Sequence, residues 1–172
     1  MNMPSPARED SVLSCSDIAA DIVDRLLGRY GITVEWLAAG TPVTGSFWGE
    51  PEAGIVGRQV FVRPDTPVHS LLHEVCHIIC MTPERRDALD GDAGSNDLEE
   101  SAACYLQVVL ADYLPGVGRQ QLMQDMDAWG YSFRRGTTER WFLEDADDAL
   151  AWLIREGVLL STGEVAFKLR GP

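Results

Sequence analysis

The sequence predicts an α+β domain in which a small, mostly antiparallel sheet packs on helices. Three observations carry this. Apolar residues recur at helical spacing near the N-terminus and through the second half. Short alternating runs bounded by glycines lie between them. The chain has 172 residues, 45% of them hydrophobic, which is enough for one core without disulfides or metal.

The elements follow in order. Residues 1–14, MNMPSPAREDSVLS, contain no apolar run of the kind a signal peptide needs. They are expected to be a disordered leader to a cytoplasmic protein, with one domain over 15–172. Ser16 or Asp17 can cap a helix to Tyr30, because Ile18, Ala19, Ile22, Leu26 and Leu27 share a face. Gly31 ends it, and Ile32–Leu37 reads as a strand. Ser46–Trp48 and Arg58–Arg63 are expected as two more strands, joined by a loop over 49–57. Asp65-Thr66-Pro67 starts a helix that runs to about Cys80 and stops before Pro83. Arg85–Ser95 is a polar connection. Asp97–Tyr113 reads as a long helix, ended by Leu114-Pro115-Gly116. Arg119–Ala128 and Thr138–Glu156 follow as helices, and Val158–Leu160 with Val165–Phe167 as a closing hairpin.

Charge narrows the function classes. There are 27 acidic and 14 basic residues, for a net charge of -13, and Lys168 is the single lysine. Such a surface repels phosphate backbones, so no nucleic-acid partner is expected. No apolar stretch is long enough to span a bilayer, so no membrane partner is expected either. The four cysteines, Cys15, Cys76, Cys80 and Cys104, form no CxxC pair and are expected as thiols.

Residues 73–77 read His-Glu-Val-Cys-His, an HExxH motif on a predicted helix. Residues four apart stack on one helical face, so His73 and His77 can grip one metal ion. Glu74, offset by about 100°, can lean over the open position and take a proton from water acidified there. Val68, Leu71, Leu72, Val75, Ile78 and Ile79 form one face of this helix. His69, His73, Cys76, His77 and Cys80 form the other, so all three histidines share a stripe.

A catalytic metal needs a third protein ligand and an open position. The next helix offers Glu99 and Glu100. Glu99 falls in the stripe of Ala102, Ala103, Leu106, Val109 and Leu110, while Glu100 lies about 100° away, near Gln107. A carboxylate on an apolar face needs a partner, and a metal would serve. Glu99 is therefore the expected ligand and Glu100 the alternative. The plainer account is that both are acids favoured by the positive end of a helix.

These residues resemble the HExxH metallopeptidases of the gluzincin kind, nearest the bacterial ImmA/IrrE-type family. The resemblance rests on HExxH at 73–77 followed by Glu99-x-x-Ala102 and Tyr105, and spans roughly residues 58–115. Ala103 stands where that family commonly has Asn. The resemblance implies a zincin-like fold, a Zn²⁺ cofactor and a protein or peptide substrate. The chain is also similar to the elongation factor P hydroxylases, which share a Cys three residues after the second His and a nearby Arg pair, here Cys80 and Arg85-Arg86. That similarity implies Fe²⁺ on the same two-His-one-Glu ligands, and a hydroxylase.

The expected function is peptide-bond hydrolysis, with Glu74 as general base. The alternatives are a non-haem iron hydroxylase and a non-catalytic binding domain with a structural metal. His69 and Tyr105 are candidates to touch substrate or support the ligands, and Tyr105, Tyr131 or His69 to stabilise an oxyanion. Cys76, Cys80 and Cys104 read as core residues. The acids between Asp87 and Asp97 do not match an EF-hand. Gln59–Val62 could bind substrate by strand addition, if it lies at a sheet edge.

Overall fold

A computed structural model describes residues 12–172. The chain is α+β. Its described residues form seven α-helices and one three-stranded mixed sheet. Of the expected leader, residues 1–11 lie outside the described residues. Residues 12–14 correct the expectation, because they are docked on the body. The Leu13 amide donates to Asp125 Oδ2 (3.1 Å), the Leu13 carbonyl accepts from the Val68 amide (2.9 Å), and Ser14 bridges to Pro67.

A single 3₁₀ turn, Cys15–Asp17, precedes α1 (Ala20–Gly28), so the first helix starts later than its capping residues suggest. Ser14 and Asp17 satisfy each other's backbone instead. The strands β1 (Thr33–Trp36), β2 (Gly54–Val56) and β3 (Gln59–Val62) follow. Central β3 pairs with β1 in parallel, Val34 facing Val60, and with β2 antiparallel, Ile55 facing Val60. The expectation of a mostly antiparallel sheet therefore gives way to a mixed one.

Two corrections follow. Ser46–Trp48 is not a strand, and Phe47 and Trp48 stand exposed. The strand lies instead at Gly54–Val56, inside the expected loop. A side chain at Gly54 would sit 1.8 Å from the Thr44 carbonyl oxygen, so glycine alone lets residues 44–46 lie on β2. Nor is β3 an edge strand, being hydrogen-bonded on both sides. The outer edge of β2 is occupied too: the Ile55 amide donates to the Gly45 carbonyl and the Ile55 carbonyl accepts from the Gly91 amide. Substrate addition to these strands is closed off.

Then come α2 (Val68–Cys80), the short α3 (Pro83–Asp87), α4 (Asp97–Ala111), α5 (Gly118–Trp129), α6 (Thr138–Glu144) and α7 (Asp147–Arg155). The expected helix over 138–156 breaks at Asp145-Ala146, where Arg134 pairs with Asp145 (2.6 Å). The expected closing hairpin is a single bridge, Leu159 to Val165. Every residue of α2 is buried. It crosses the centre of the molecule, touching β2 and β3 on one side and α4 and α5 on the other. Its apolar stripe and its histidine stripe thus both find partners. All four cysteines are buried thiols without disulfides. No described helix is long and apolar enough to cross a membrane.

Candidate metal centre

The two halves of the site come from α2 and α4. On α2, His73 and His77 point the same way because they are one turn apart, and their Nε2 atoms lie 3.0 Å from each other. On α4, Glu100 meets both. Its Oε1 is 2.9 Å from His73 Nε2 and its Oε2 is 3.1 Å from His77 Nε2. These three side chains can present ligand atoms within 4.8 Å of one another.

Glu99 does not join them, which corrects the expected third ligand. Its carboxylate is buried as the wheel implied, but the partner is a guanidinium. Arg85 Nη1 and Nη2 donate to Glu99 Oε2 and Oε1 at 2.8 and 2.9 Å, and Arg170 Nη1 lies 3.5 Å away. The alternative ligand, Glu100, is the one brought to the histidines. It shares its face of α4 with Cys104 and Gln107, four and seven residues on, and that face meets α2. Cys104 Sγ lies 3.9 Å from His73 Nδ1.

Gln107 was missed as a functional residue. Its Oε1 is 2.7 Å from His73 Nδ1, and its amide nitrogen donates to the His69 carbonyl at 3.2 Å. An amide oxygen only accepts, so His73 Nδ1 carries the hydrogen and its Nε2 faces Glu100 and His77. With its raised pKa His73 also carries a hydrogen on Nε2, which donates to Glu100; loss of that hydrogen would leave the tautomer a metal ligand needs, fixed by an outer partner. Ser95 was missed as well; its hydroxyl donates to Glu100 Oε2 at 2.8 Å. A polar residue on the Glu100 stripe was the available signal for Gln107. Nothing in the spacing marks Ser95.

The donor set fits a zinc ion. Tetrahedral ligands with zinc–nitrogen bonds of about 2.0–2.1 Å sit about 3.3 Å apart, close to the three separations here. Two neutral imidazoles and one carboxylate leave a position open for water or substrate.

The electrostatics are those of a buried charge cluster. Burial opposes ionisation of Glu100, but hydrogen bonds from His73 and His77 outweigh it and hold its carboxyl well below the usual range. Burial likewise opposes a charge on His73, yet Cys104 and Glu100 raise its pKa well above an ordinary imidazole. Glu74 is 5% exposed, and no side chain hydrogen-bonds it among the described residues. Burial pushes its carboxyl up, against the pull of His77 and His73. A carboxylate raised in this way holds a proton more readily than an exposed one.

His73, Glu74, His77 and Glu100 line one open cleft of about 280 Å³. Phe47 and Trp48 form one wall and residues 91–97 another. Neither His69 nor Tyr105 lines this cleft. His69 is fully buried behind His73, its Nδ1 3.1 Å from Tyr131 Oη. Tyr105 stacks on Phe142, with ring centroids 4.5 Å apart. Tyr131 is buried beside His69, and burial raises its pKa well above the ordinary value. None of the three lines the cleft, and the His69 carbonyl instead holds the Gln107 amide that contacts His73. Behind the site, buried Glu52 accepts from Trp129 Nε1 (2.9 Å).

No family model, no curated protein and no solved structure matches this chain. The likeness to known metalloenzymes therefore rests on its motifs.

Proposed function

We propose that this chain is a zinc-dependent metallopeptidase with a zincin-like arrangement of α2 and α4. The observation that carries the reading is the convergence of His73, His77 and Glu100 at a cleft that also holds Glu74. His73, His77 and Glu100 would hold the ion, which when bound supplies Lewis-acid polarisation and acidifies water. Glu74 accepts the proton of the attacking water and passes it to the departing amide nitrogen. Gln107 and Ser95 keep the ligands oriented, through His73 and Glu100 respectively. The buried α2–α4 interface keeps water from the far side of the ligands. A polypeptide is the substrate that matches an open groove rather than a closed pocket.

The test is elemental analysis of protein purified without a metal-affinity tag, followed by peptide-mixture digestion read by mass spectrometry. Wild type should hold about one zinc per chain. Glu74→Gln should keep the zinc and lose cleavage by at least about 100-fold. Iron in place of zinc would move the assignment to a hydroxylase on the same ligands. Zinc with no cleavage of any peptide would leave a binding domain with a structural metal.

A further inference from the structure

We propose that the mouth of this cleft selects an arginine or lysine side chain of an extended polypeptide. The inference rests on the cleft being the place where a peptide meets the metal ligands.

The charge of the lining comes first. Glu74, Asp92, Asp97 and Glu100 all line the cleft, and no arginine or lysine does. A divalent ion offsets two of these four charges and leaves two, Asp92 and Asp97, at the rim. Among the described residues neither has an ion-pair partner. Asp92 accepts a hydrogen bond from the Gly94 amide (2.9 Å), which orients it without neutralising it. Deeper in, Glu74 is almost fully buried, has no hydrogen-bonding partner there and reaches the same space. The cleft therefore favours a cation even with its metal bound.

The same lining carries two aromatic side chains. Phe47 and Trp48 are 57% and 50% exposed and meet edge to face, with centroids 5.1 Å apart. Scattered exposed apolar residues need no explanation, but a paired aromatic lip on a cleft is a binding feature. Its base is held in place. Gly45 and Gly54 let the preceding backbone lie against β2. Arg63 ties the loop from both ends, donating to the Thr41 carbonyl (3.1 Å) and to Glu50 (2.6 Å). The aromatics are therefore presented on an ordered loop. A cleft lined by two aromatics and two rim carboxylates suits a side chain with a hydrocarbon stem and a cationic head.

Asp97 also lines a second cleft, together with Phe133, Trp141 and Asp148. A chain whose basic residue occupies the first cleft can continue over Asp97 into the second. This favours a polypeptide over a free diamine.

The test uses fluorescein-labelled Gly-Ala peptides that differ only at one central position: arginine, lysine, norleucine or glutamate. Affinity is read by anisotropy on mixing, with full-length protein as purified and with added zinc, and cleavage is read separately by mass spectrometry. The arginine and lysine peptides should bind about tenfold more tightly than the norleucine peptide. The exposed pair Asp92→Asn and Asp97→Asn should abolish that preference, so that the arginine, lysine and norleucine peptides bind alike. Phe47→Ala with Trp48→Ala should weaken both the preference and norleucine binding. Equal binding of all four peptides, or a preference that survives the double Asn variant, overturns the inference. A preference without cleavage leaves it standing and sinks the peptidase assignment alone. Cleavage without a preference does the reverse.

Discussion

At the scale of single residues, adjacent Glu99 and Glu100 divide two jobs that the sequence does not separate. The helical wheel correctly places Glu99 on the packed face, where a carboxylate needs a partner. That partner is Arg85, on the short α3, and no periodicity in α4 announces it. Glu100→Ala should remove zinc binding, an effect larger than the about 10–100-fold that loss of a supporting group costs. Glu99→Ala should keep the zinc and lose about 1–3 kcal/mol in urea unfolding, because it strands a half-exposed guanidinium. Zinc lost in the Glu99 variant and kept in the Glu100 variant would reverse the assignment. His69 makes a prediction about pH. Burial, helped by the charge on His73, lowers its pKa from 6.5 to about 3. The unfolded chain therefore binds a proton at His69 that the folded chain refuses between these values. Stability from this residue is complete above about pH 6.5 and falls away on acidification towards pH 3. At pH 5 the loss is about 2 kcal/mol. Comparing wild type with His69→Gln at pH 7.5 and pH 5 isolates it, and a difference that does not change with pH would refute it.

At the scale of elements, what the sequence makes legible is what depends on local periodicity. The segregation of apolar and histidine stripes on α2 is real, and so is the pairing of α2 with α4. What it does not show depends on contacts between distant segments. The apolar Phe47-Trp48 imitates a strand, while Gly54–Val56, flanked by turn residues, is the strand because residues 44–46 and 90–91 close around it. The parallel β1–β3 pair joins segments that flank β2, which no hairpin signal encodes. The end of α2 is a further case. Arg86, 2% exposed, donates to the carbonyls of Ile78, Met81 and Arg170 at 2.8, 2.7 and 3.1 Å. It satisfies orphaned acceptors at the helix C-terminus, where a cation is also favoured. From sequence, Arg85-Arg86 is one basic pair; in the fold, each residue braces a different helix. Arg86→Met should cost about 3 kcal/mol or more, because several buried carbonyls lose their donor at once. Chemical denaturation measures this, and a loss below about 1 kcal/mol would mean that water replaces the guanidinium.

At the scale of the whole molecule, the candidate ligands come from the two helices that organise the core. His73 sits mid-way along α2 and His77 in its last turn, and Glu100 lies in the first turn of α4. An ion bound to all three binds only the folded chain, since nothing in the unfolded chain holds Glu100 beside the histidines. At a free zinc concentration about 100 times the dissociation constant, this linkage adds about 2.7 kcal/mol. For a chain of this size that corresponds to a rise of roughly 5–10 °C in melting temperature. The net charge of -13 introduces a competing effect, because any divalent cation relieves self-repulsion across so acidic a surface. The two effects separate by ion and by variant. Magnesium prefers oxygen ligands and an octahedral shell, so it screens the surface without filling a two-histidine site. At fixed ionic strength near 0.15 M, where exposed charges beyond about 8 Å are already screened, zinc should raise the wild-type melting temperature well beyond magnesium. Glu100→Ala should respond to both ions alike. Equal shifts from zinc and magnesium in wild type would assign the gain to diffuse screening and leave His73, His77 and Glu100 as a buried ion-pair cluster.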